Sequence, residues 1–286
     1  VVDEKDRMIA AIIDKPTQSD WSAVVDEAAR CLRTVRRTGL EHKVFNEEDV
    51  NTRRGSFLQV PVGVSFGGGQ KVRILFPGVQ SSKSVTVPST VHHPDNLAAG
   101  AFAFLNPKLF HRYSTDINTL FERQPELIRN FSNSAFPAAS FNCGPTSVSF
   151  GHHDFNNLSF GLCALTPLGN FDYTRGGHLI LFELKLVLEF PAGSTGLVPS
   201  SALRHGNTGI QPGEDRLSIA QYGAGGLFRW VAYDFCSGKS LDSTPAGRIY
   251  RVAVDGEPNE RWLDGLNLYS TPDSLMSDHA ELSASV

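Results

Sequence analysis

Gly151-His152-His153-Asp154-Phe155-Asn156-Asn157, directly after the β-type run Thr146-Ser147-Val148-Ser149-Phe150, decides how this chain is to be read. In extended backbone, residues i and i+2 share a face, about 6–7 Å apart. His152 and Asp154 can therefore aim an imidazole and a carboxylate at one point, while His153 faces away. Two ligands do not make a stable site. His205, in Leu203-Arg204-His205-Gly206-Asn207, is the candidate third, carried to the same mouth by the intervening short strands. Two histidines and one carboxylate, leaving one face of a metal open, are the donor set of non-haem ferrous oxygenases. Arg216 stands on the next strand-like run, with Ser218 on its face at i+2. A guanidinium binds a carboxylate through two parallel hydrogen bonds and the hydroxyl adds a third, so the pair suits the far carboxylate of a dicarboxylic co-substrate. Each part has a blander reading: a chance His-x-Asp, an ion pair of Arg216 with Glu214 or Asp215, an ordinary strand hydroxyl at Ser218.

From Ser140 onward, short strands alternate with Gly, Pro and Asn turns. Phe182, Leu184, Leu186, Leu188 and Phe190 alternate with mostly charged residues, which predicts one half-buried strand. Gly196–Val198, Leu217–Tyr222 and Phe228–Tyr233 predict others. Many short strands at close spacing indicate a sandwich or jelly roll. Upstream, Ser19-Asp20 reads as a helix cap, and Trp21, Val24, Val25, Ala28, Leu32 and Val35 recur at helical spacing up to Gly39. Phe57–Phe66 predicts one or two strands ending in Gly67-Gly68-Gly69-Gln70, which is no phosphate-binding P-loop because no Gly-Lys-Ser/Thr follows. Lys71–Pro94 reads as irregular or edge structure. Ile117, Leu120, Phe121, Leu127, Ile128 and Phe131 predict a helix bent or restarted at Pro125. The tail has one amphipathic piece around Trp262, Leu263 and Leu266, then a Ser- and Asp-containing stretch expected to fray.

The chain has 286 residues, 41% hydrophobic and 20% charged, enough for one large domain or two small ones with a real core. A formal net charge of −4 supplies no global reason to bind nucleic acid. Arg30, Arg33, Arg36 and Arg37 cluster on one face of the first helix; such a face is either simply solvated or contacts phosphates. Cys31, Cys143, Cys163 and Cys236 lack any C-x-x-C spacing, which excludes an ordinary zinc knuckle and argues against a disulfide scaffold. A reducing, intracellular compartment fits, and no signal-peptide pattern is evident. The most apolar run, Leu179–Phe190, is interrupted by Glu183, Lys185 and Glu189 and is no membrane span.

His152-x-Asp154, His205 and Arg216-x-Ser218 on a series of short strands together resemble the Fe(II)/2-oxoglutarate dioxygenases. Further stretches narrow the likeness: Gly63-Val64-Ser65-Phe66-Gly67-Gly68-Gly69-Gln70, Arg175-Gly176-Gly177-His178-Leu179, Arg204 to Thr208, and Gly225-Gly226-Leu227-Phe228-Arg229-Trp230. These resemble the TET/JBP group that oxidises modified DNA bases, most nearly the mushroom (Coprinopsis-type) TET-like branch associated with Kyakuja–Dileera–Zisupton transposons. The likeness runs from about Gly55 to Phe235. It implies an α+β fold with a double-stranded β-helix (jelly-roll, cupin-like) core and helices packed on one face. Within one integrated catalytic domain, 1–135 would be a helical and mixed supporting region, 136–238 the core, and 239–286 a C-terminal extension. The resemblance makes His152, Asp154 and His205 the iron ligands and has Arg216 and Ser218 hold 2-oxoglutarate, while Asn142 matches a polar co-substrate position of the related AlkB group. Asn157 would touch the target base, although it also suits a strand-end turn; Phe155 and Trp230 are further candidates at the mouth.

The implied reaction consumes dioxygen and 2-oxoglutarate, with ascorbate as assay reductant. It converts 5-methylcytosine to its hydroxymethyl, formyl and carboxyl forms, with N6-methyladenine as a second candidate base. The base must be flipped out of duplex DNA; a monomer acting in the nucleus, away from membranes, is expected. Two departures stand out: the cysteine-rich zinc-binding region of animal TET proteins has no counterpart, and Ala224 occupies a position where they carry a base-stacking histidine. Two rivals stay open: a 2-oxoglutarate oxygenase of protein or small-molecule substrates, and a non-catalytic jelly-roll binding module. His178 reads as a structural residue entering a buried strand, and His42, His92, His93, His111 and His279 carry no assigned chemistry.

Overall fold

A computed structural model describes residues 1–18, 20–67, 70–74, 92–131, 134–257 and 260–284. Ser19 of the expected cap, Gly68 and Gly69 of the glycine loop, and residues 75–91 of the irregular stretch lie outside the described residues. The chain forms β1 (Ala11–Ile13), α1 (Trp21–Glu41), β2 (Gln59–Gly67), β3 (Gln70–Ile74), α2 (His92–Leu105), α3 (Pro107–Arg123) and β4 (Ala138–Asn142). It continues with β5 (Cys163–Asn170), β6 (Leu179–Leu181), β7 (Leu186–Leu188), β8 (Thr195–Val198), β9 (His205–Asn207) and β10 (Asp215–Tyr222). Four helices follow: α4 (Gly225–Ala232), α5 (Gly238–Asp242), α6 (Pro245–Asp255) and α7 (Glu260–Leu266), then α8 (Leu275–Ala284) makes a fifth.

Seven strands make the major sheet in the order β1-β8-β5-β10-β4-β2-β3, and three make the minor sheet, β7-β6-β9. Every pairing between these strands is antiparallel, and a single parallel bridge ties Thr146 to Arg216 of β10 among the described residues. The two faced sheets form the double-stranded β-helix, with helices on the far side of the major sheet. Three of the major strands come from before residue 136.

Alternation along the strands explains both faces. Leu217 and Ile219 of β10, Ala139 and Phe141 of β4, and Val60 and Val62 of β2 point outward and bury against Trp21, Val25, Ala28, Ala29 and Leu32 of α1. Each large side chain removed from water there contributes about 1.5–3 kcal/mol. The residues between them, Ser218, Ala220, Ser140, Asn142, Gln59 and Pro61, face the opposite way and line cavities. Between the sheets, Leu179, Leu181 and Phe190 pack on Ala10, Cys163 and Val198. A third cluster joins α2, α3 and α4 through Phe102, Tyr113, Phe136, Leu227 and Phe228.

Several expectations are corrected. Phe182–Phe190 is not one strand: Phe182 to Lys185 is a reversal, with Lys185 at φ 55°, so the apolar alternation is split between the arms of the β6–β7 hairpin. The run Phe228–Tyr233 is helical through Ala232, with Tyr233 as C-cap, rather than extended, because Leu227, Phe228 and Val231 fall on one face at helical spacing and seal the third cluster. α3 ends at Arg123 with Gln124 as its C-cap, and the chain is not helical again before Phe131. Pro125 disfavours helical backbone in the residue before it. Asp20 makes no side-chain capping bond. The tail does not fray through its described residues. α8 is held by Lys108 Nζ on Asp278 at 2.9 Å, and the Ser274 hydroxyl donates to the same carboxylate. No described helix is long and apolar enough to cross a membrane.

Candidate active site

Thr146 to Phe150 is irregular rather than a regular strand, yet the geometry expected of His152 and Asp154 survives. His152 and His205 form an antiparallel bridge in which each N–H donates to the other's carbonyl at 2.9 Å. Such a pair places both side chains on one side of the ladder, and the ring centroids lie 4.4 Å apart. Asp154 N donates to Ser200 O at 2.9 Å, which turns its carboxylate between the rings. His152 Nε2 is 3.7 Å from Asp154 Oδ1, and His205 Nε2 is 3.8 Å from Oδ2. The three ligand atoms lie within 4.8 Å of one another, and they are the only such group among the described residues.

The far ring nitrogens are committed elsewhere. His152 Nδ1 lies 2.7 Å from Phe150 O, and His205 Nδ1 lies 3.0 Å from Leu203 O. A carbonyl accepts only from N–H, so Nδ1 carries the proton and the Nε2 lone pairs are free to ligate, a tautomer set by the outer partners. Burial lowers both imidazole pKa values, and for His152 the neighbouring His205 adds to the effect. Two neutral imidazoles and a carboxylate around one point fit Fe(II) with an open face.

Arg216 lies at the closed end, 2% exposed. Its Nη1 donates to Ser147 O at 2.5 Å, its guanidinium lies 5.6 Å from the Phe171 ring centre, and its Nε has no partner. Burial pushes its pKa down to about 10, so it remains cationic near neutrality. Asn142 Nδ2 donates to Ser218 Oγ at 2.9 Å, while Asn142 Oδ1 is buried without a partner. One cavity runs from Arg216, Ser218 and Asn142 to His152, Asp154 and His205, between walls of Leu165, Leu179 and Phe190. An enclosed cation with an unpartnered Nε, facing three metal-ligating side chains across a cavity of mixed polar and apolar lining, is a set of residues that would suit a dicarboxylic co-substrate such as 2-oxoglutarate. The ion pairs weighed for Arg216 are not made: Asp215 is taken by Arg33, at 2.9 and 3.1 Å.

A second cavity opens outward from Asp154, lined by Arg53, Arg54, Phe155, Asn157, Tyr222 and Ala224 among others. Asn157 faces it with its amide donating to Ser200 Oγ at 3.0 Å. Phe155 is 78% exposed at its rim. Trp230 is a correction. It belongs to α4, packs on Phe66 and Phe235 and donates to Gln124 Oε1 at 3.1 Å, and it lines neither cavity. His153 turns away toward Glu183, at 3.6 Å, and His178 pairs with Thr208 Oγ1 at 2.9 Å outside the cluster.

Arg54 escaped the sequence reading. Its guanidinium pairs with Asp154, and its carbonyl accepts from Phe150 N at 2.7 Å. Nothing in the local pattern of Thr52-Arg53-Arg54-Gly55 marks it. Ala220 and Tyr222 were within reach, since the i+2 rule that joined Arg216 to Ser218 continues along the same face.

Fold and site together define a class: a double-stranded β-helix protein with a two-histidine, one-carboxylate centre. No family model and no curated protein matches the chain. Among solved structures it is similar to NgTET1 in complex with 5mC DNA, with 13% identity over 76% of this chain and 72% of that one, TM-score 0.42. It is also similar to OsALKBH1, with 13% identity over 75% of this chain and 96% of that one, TM-score 0.39. A Pseudomonas putida prolyl-4-hydroxylase matches with 15% identity over 71% of this chain and 97% of that one, TM-score 0.31. With identities this low and TM-scores below 0.5, the chemistry is read from the side chains and not from these neighbours.

Proposed function

We propose that the protein is an Fe(II)/2-oxoglutarate-dependent dioxygenase that oxidises methyl groups on DNA bases, 5-methylcytosine first and N6-methyladenine as the alternative target. The carrying observation is the convergence of His152, Asp154 and His205 on one point, with Arg216 enclosed at the far end of the same cavity. When bound, the ferrous ion and 2-oxoglutarate would supply oxidation: dioxygen is consumed, 2-oxoglutarate leaves as succinate and carbon dioxide, and a substrate methyl becomes a hydroxymethyl. The chain's own residues provide placement. His152 and His205 present unprotonated Nε2 atoms, and Asp154 offers the compensating negative charge. Arg216, with the Ser218 hydroxyl and the Asn142 amide, orients the co-substrate; Leu165, Leu179 and Phe190 keep its shaft dry. The outer cavity then receives the methyl group beside Asp154, between Asn157 and Tyr222.

The nucleic-acid part of this reading is supported by the resemblance of the motifs and by the mouth itself, where Arg53 and Arg54 flank a cavity wide enough to share residues with an outer groove. Mass spectrometry of nucleosides tests it, after incubation of DNA carrying each methylated base with the protein, Fe(II), ascorbate and 2-oxoglutarate. Oxidised base with matching succinate is expected. Succinate without oxidised base would move the substrate to protein or small molecules, and no succinate would leave a binding module. His152→Ala should abolish turnover on every substrate form, whereas His153→Ala should largely spare turnover on single-stranded substrate; the reverse would overturn the ligand set.

A further inference from the structure

Phe155 is a large apolar side chain with almost nothing to cover it. It is 78% exposed, more than any other large hydrophobic residue described, and belongs to none of the three apolar clusters. Yet it is not loose. Its ring lies flat on the imidazole of His153, centroids 5.0 Å apart and planes 17° apart. His153 is braced in turn against Glu183, and Asp154 and Asn157 on either side are pinned by backbone bonds. The ring therefore stands as the outer layer of a two-ring stack, with its remaining surface turned to solvent.

Its place matters as much as its exposure. Phe155 lines the cavity that descends to Asp154 and also a groove running outward past Arg112, Arg229, Arg261 and Trp262. Arg229 is exposed and makes no ion pair among the described residues. A backbone of phosphates laid along that groove would carry its bases across Phe155. A base entering the cavity beside Asp154 leaves a gap in the duplex, and an apolar ring pushed between base steps can fill such a gap.

We infer that Phe155, backed by His153, is the wedge that occupies the stack vacated by the everted base, and so sets preference for duplex over single-stranded substrate. This rests on the DNA reading above. The step is non-covalent: base–base stacking is exchanged for base–phenyl stacking.

The test compares unaltered protein, Phe155→Ala and Phe155→Trp on the same methylated oligonucleotide, duplex and single-stranded. Phe155→Ala should lower duplex turnover about tenfold more than single-strand turnover, the scale of one lost stacking partner, and Phe155→Trp should restore duplex turnover. A second readout needs no turnover. 2-Aminopurine beside the target base should brighten when metal-free protein binds the duplex, and Phe155→Ala should suppress that rise. Equal loss on both strand states, with the fluorescence rise intact, would remove the wedge and leave the DNA reading standing. An unaltered protein that oxidises neither form would remove both.

Discussion

Arg216 is enclosed by Ser147 and Phe171 with an unspent Nε, so its guanidinium answers to whatever fills the cavity in front of it. Charge-assisted hydrogen bonds are worth about 1.5–3 kcal/mol each. Arg216→Ala should therefore raise the 2-oxoglutarate requirement at least about tenfold, and Arg216→Lys should fail to restore it because an ammonium cannot make the two parallel bonds. A titration of succinate formation against 2-oxoglutarate checks this, and an unchanged requirement would take Arg216 out of the site. The histidines have their own signature. The folded pKa values of His152 and His205 lie below the ordinary 6.5, so the unfolded chain takes up protons first as pH falls. Metal-free protein should lose stability as pH drops through about 6.5 and stop losing it, as far as these groups go, once the folded imidazoles protonate. Thermal melts at about pH 7.5 and about pH 5.5 should show the lower Tm in acid, with the difference reduced in His152→Gln. At this scale the sequence was readable wherever a period of two fixed the face: His152 with Asp154, and Arg216 with Ser218. Arg54 was hidden because its closeness to Asp154 is set by a turn clamped to Phe150, a contact with no local pattern.

Among elements, the loop before β6 shows how a backbone detail serves the site. Gly177 has φ 71°, and a Cβ there would meet the Phe171 ring at 2.7 Å and Arg216 Nε at 3.2 Å. Gly177→Ala thus combines a disfavoured backbone conformation with pressure on the co-substrate clamp. It should lower Tm and also raise the 2-oxoglutarate requirement, measured side by side; a Tm change alone would separate the loop from the clamp. The Gly225-Gly226 pair has a packing reason of the same kind, since a Cβ at Gly226 would lie 2.3 Å from Phe66 O where α4 abuts β2. Helix α1 and strands β2 and β10 were legible because their apolar periods match their burial, whereas β8, buried along its whole length, was legible only as a short run between turns. α4 was not, since Phe228, Trp230 and Ala232 mimic a strand when read apart from the Leu227–Val231 face that buries. The β6–β7 reversal hid in an alternation that continues across its turn.

For the molecule as a whole, the two faces of the major sheet have separate duties. The cavities open on one, and α1 covers the other. Arg33 of α1 is already spent on Asp215, and Arg30 on Glu27. Arg112 and Arg261 are likewise paired, with Asp116 and Asp255, so what separates the two faces is position: Arg53, Arg112, Arg229 and Arg261 line the cavity and groove at the mouth, whereas the α1 arginines stand behind the sheet. Neutralising Arg229 and Arg261 together should weaken duplex binding and flatten its dependence on salt by about one to two units of slope. Neutralising Arg36 and Arg37 should change neither. Fluorescence anisotropy across a salt series distinguishes the two; an equal effect would place DNA on the helical side. The jelly roll was foreseeable from strand density, but which face the helices take was not, because that depends on which half of each alternation meets α1.

The back-to-back layout also makes α1 a handle. Arg37, exposed on that helix, is a position where a dye, a surface tether or a fused programmable DNA-targeting domain could be attached with the sheet standing between the cargo and the mouth. A protein immobilised there would keep its cavities turned toward the solution.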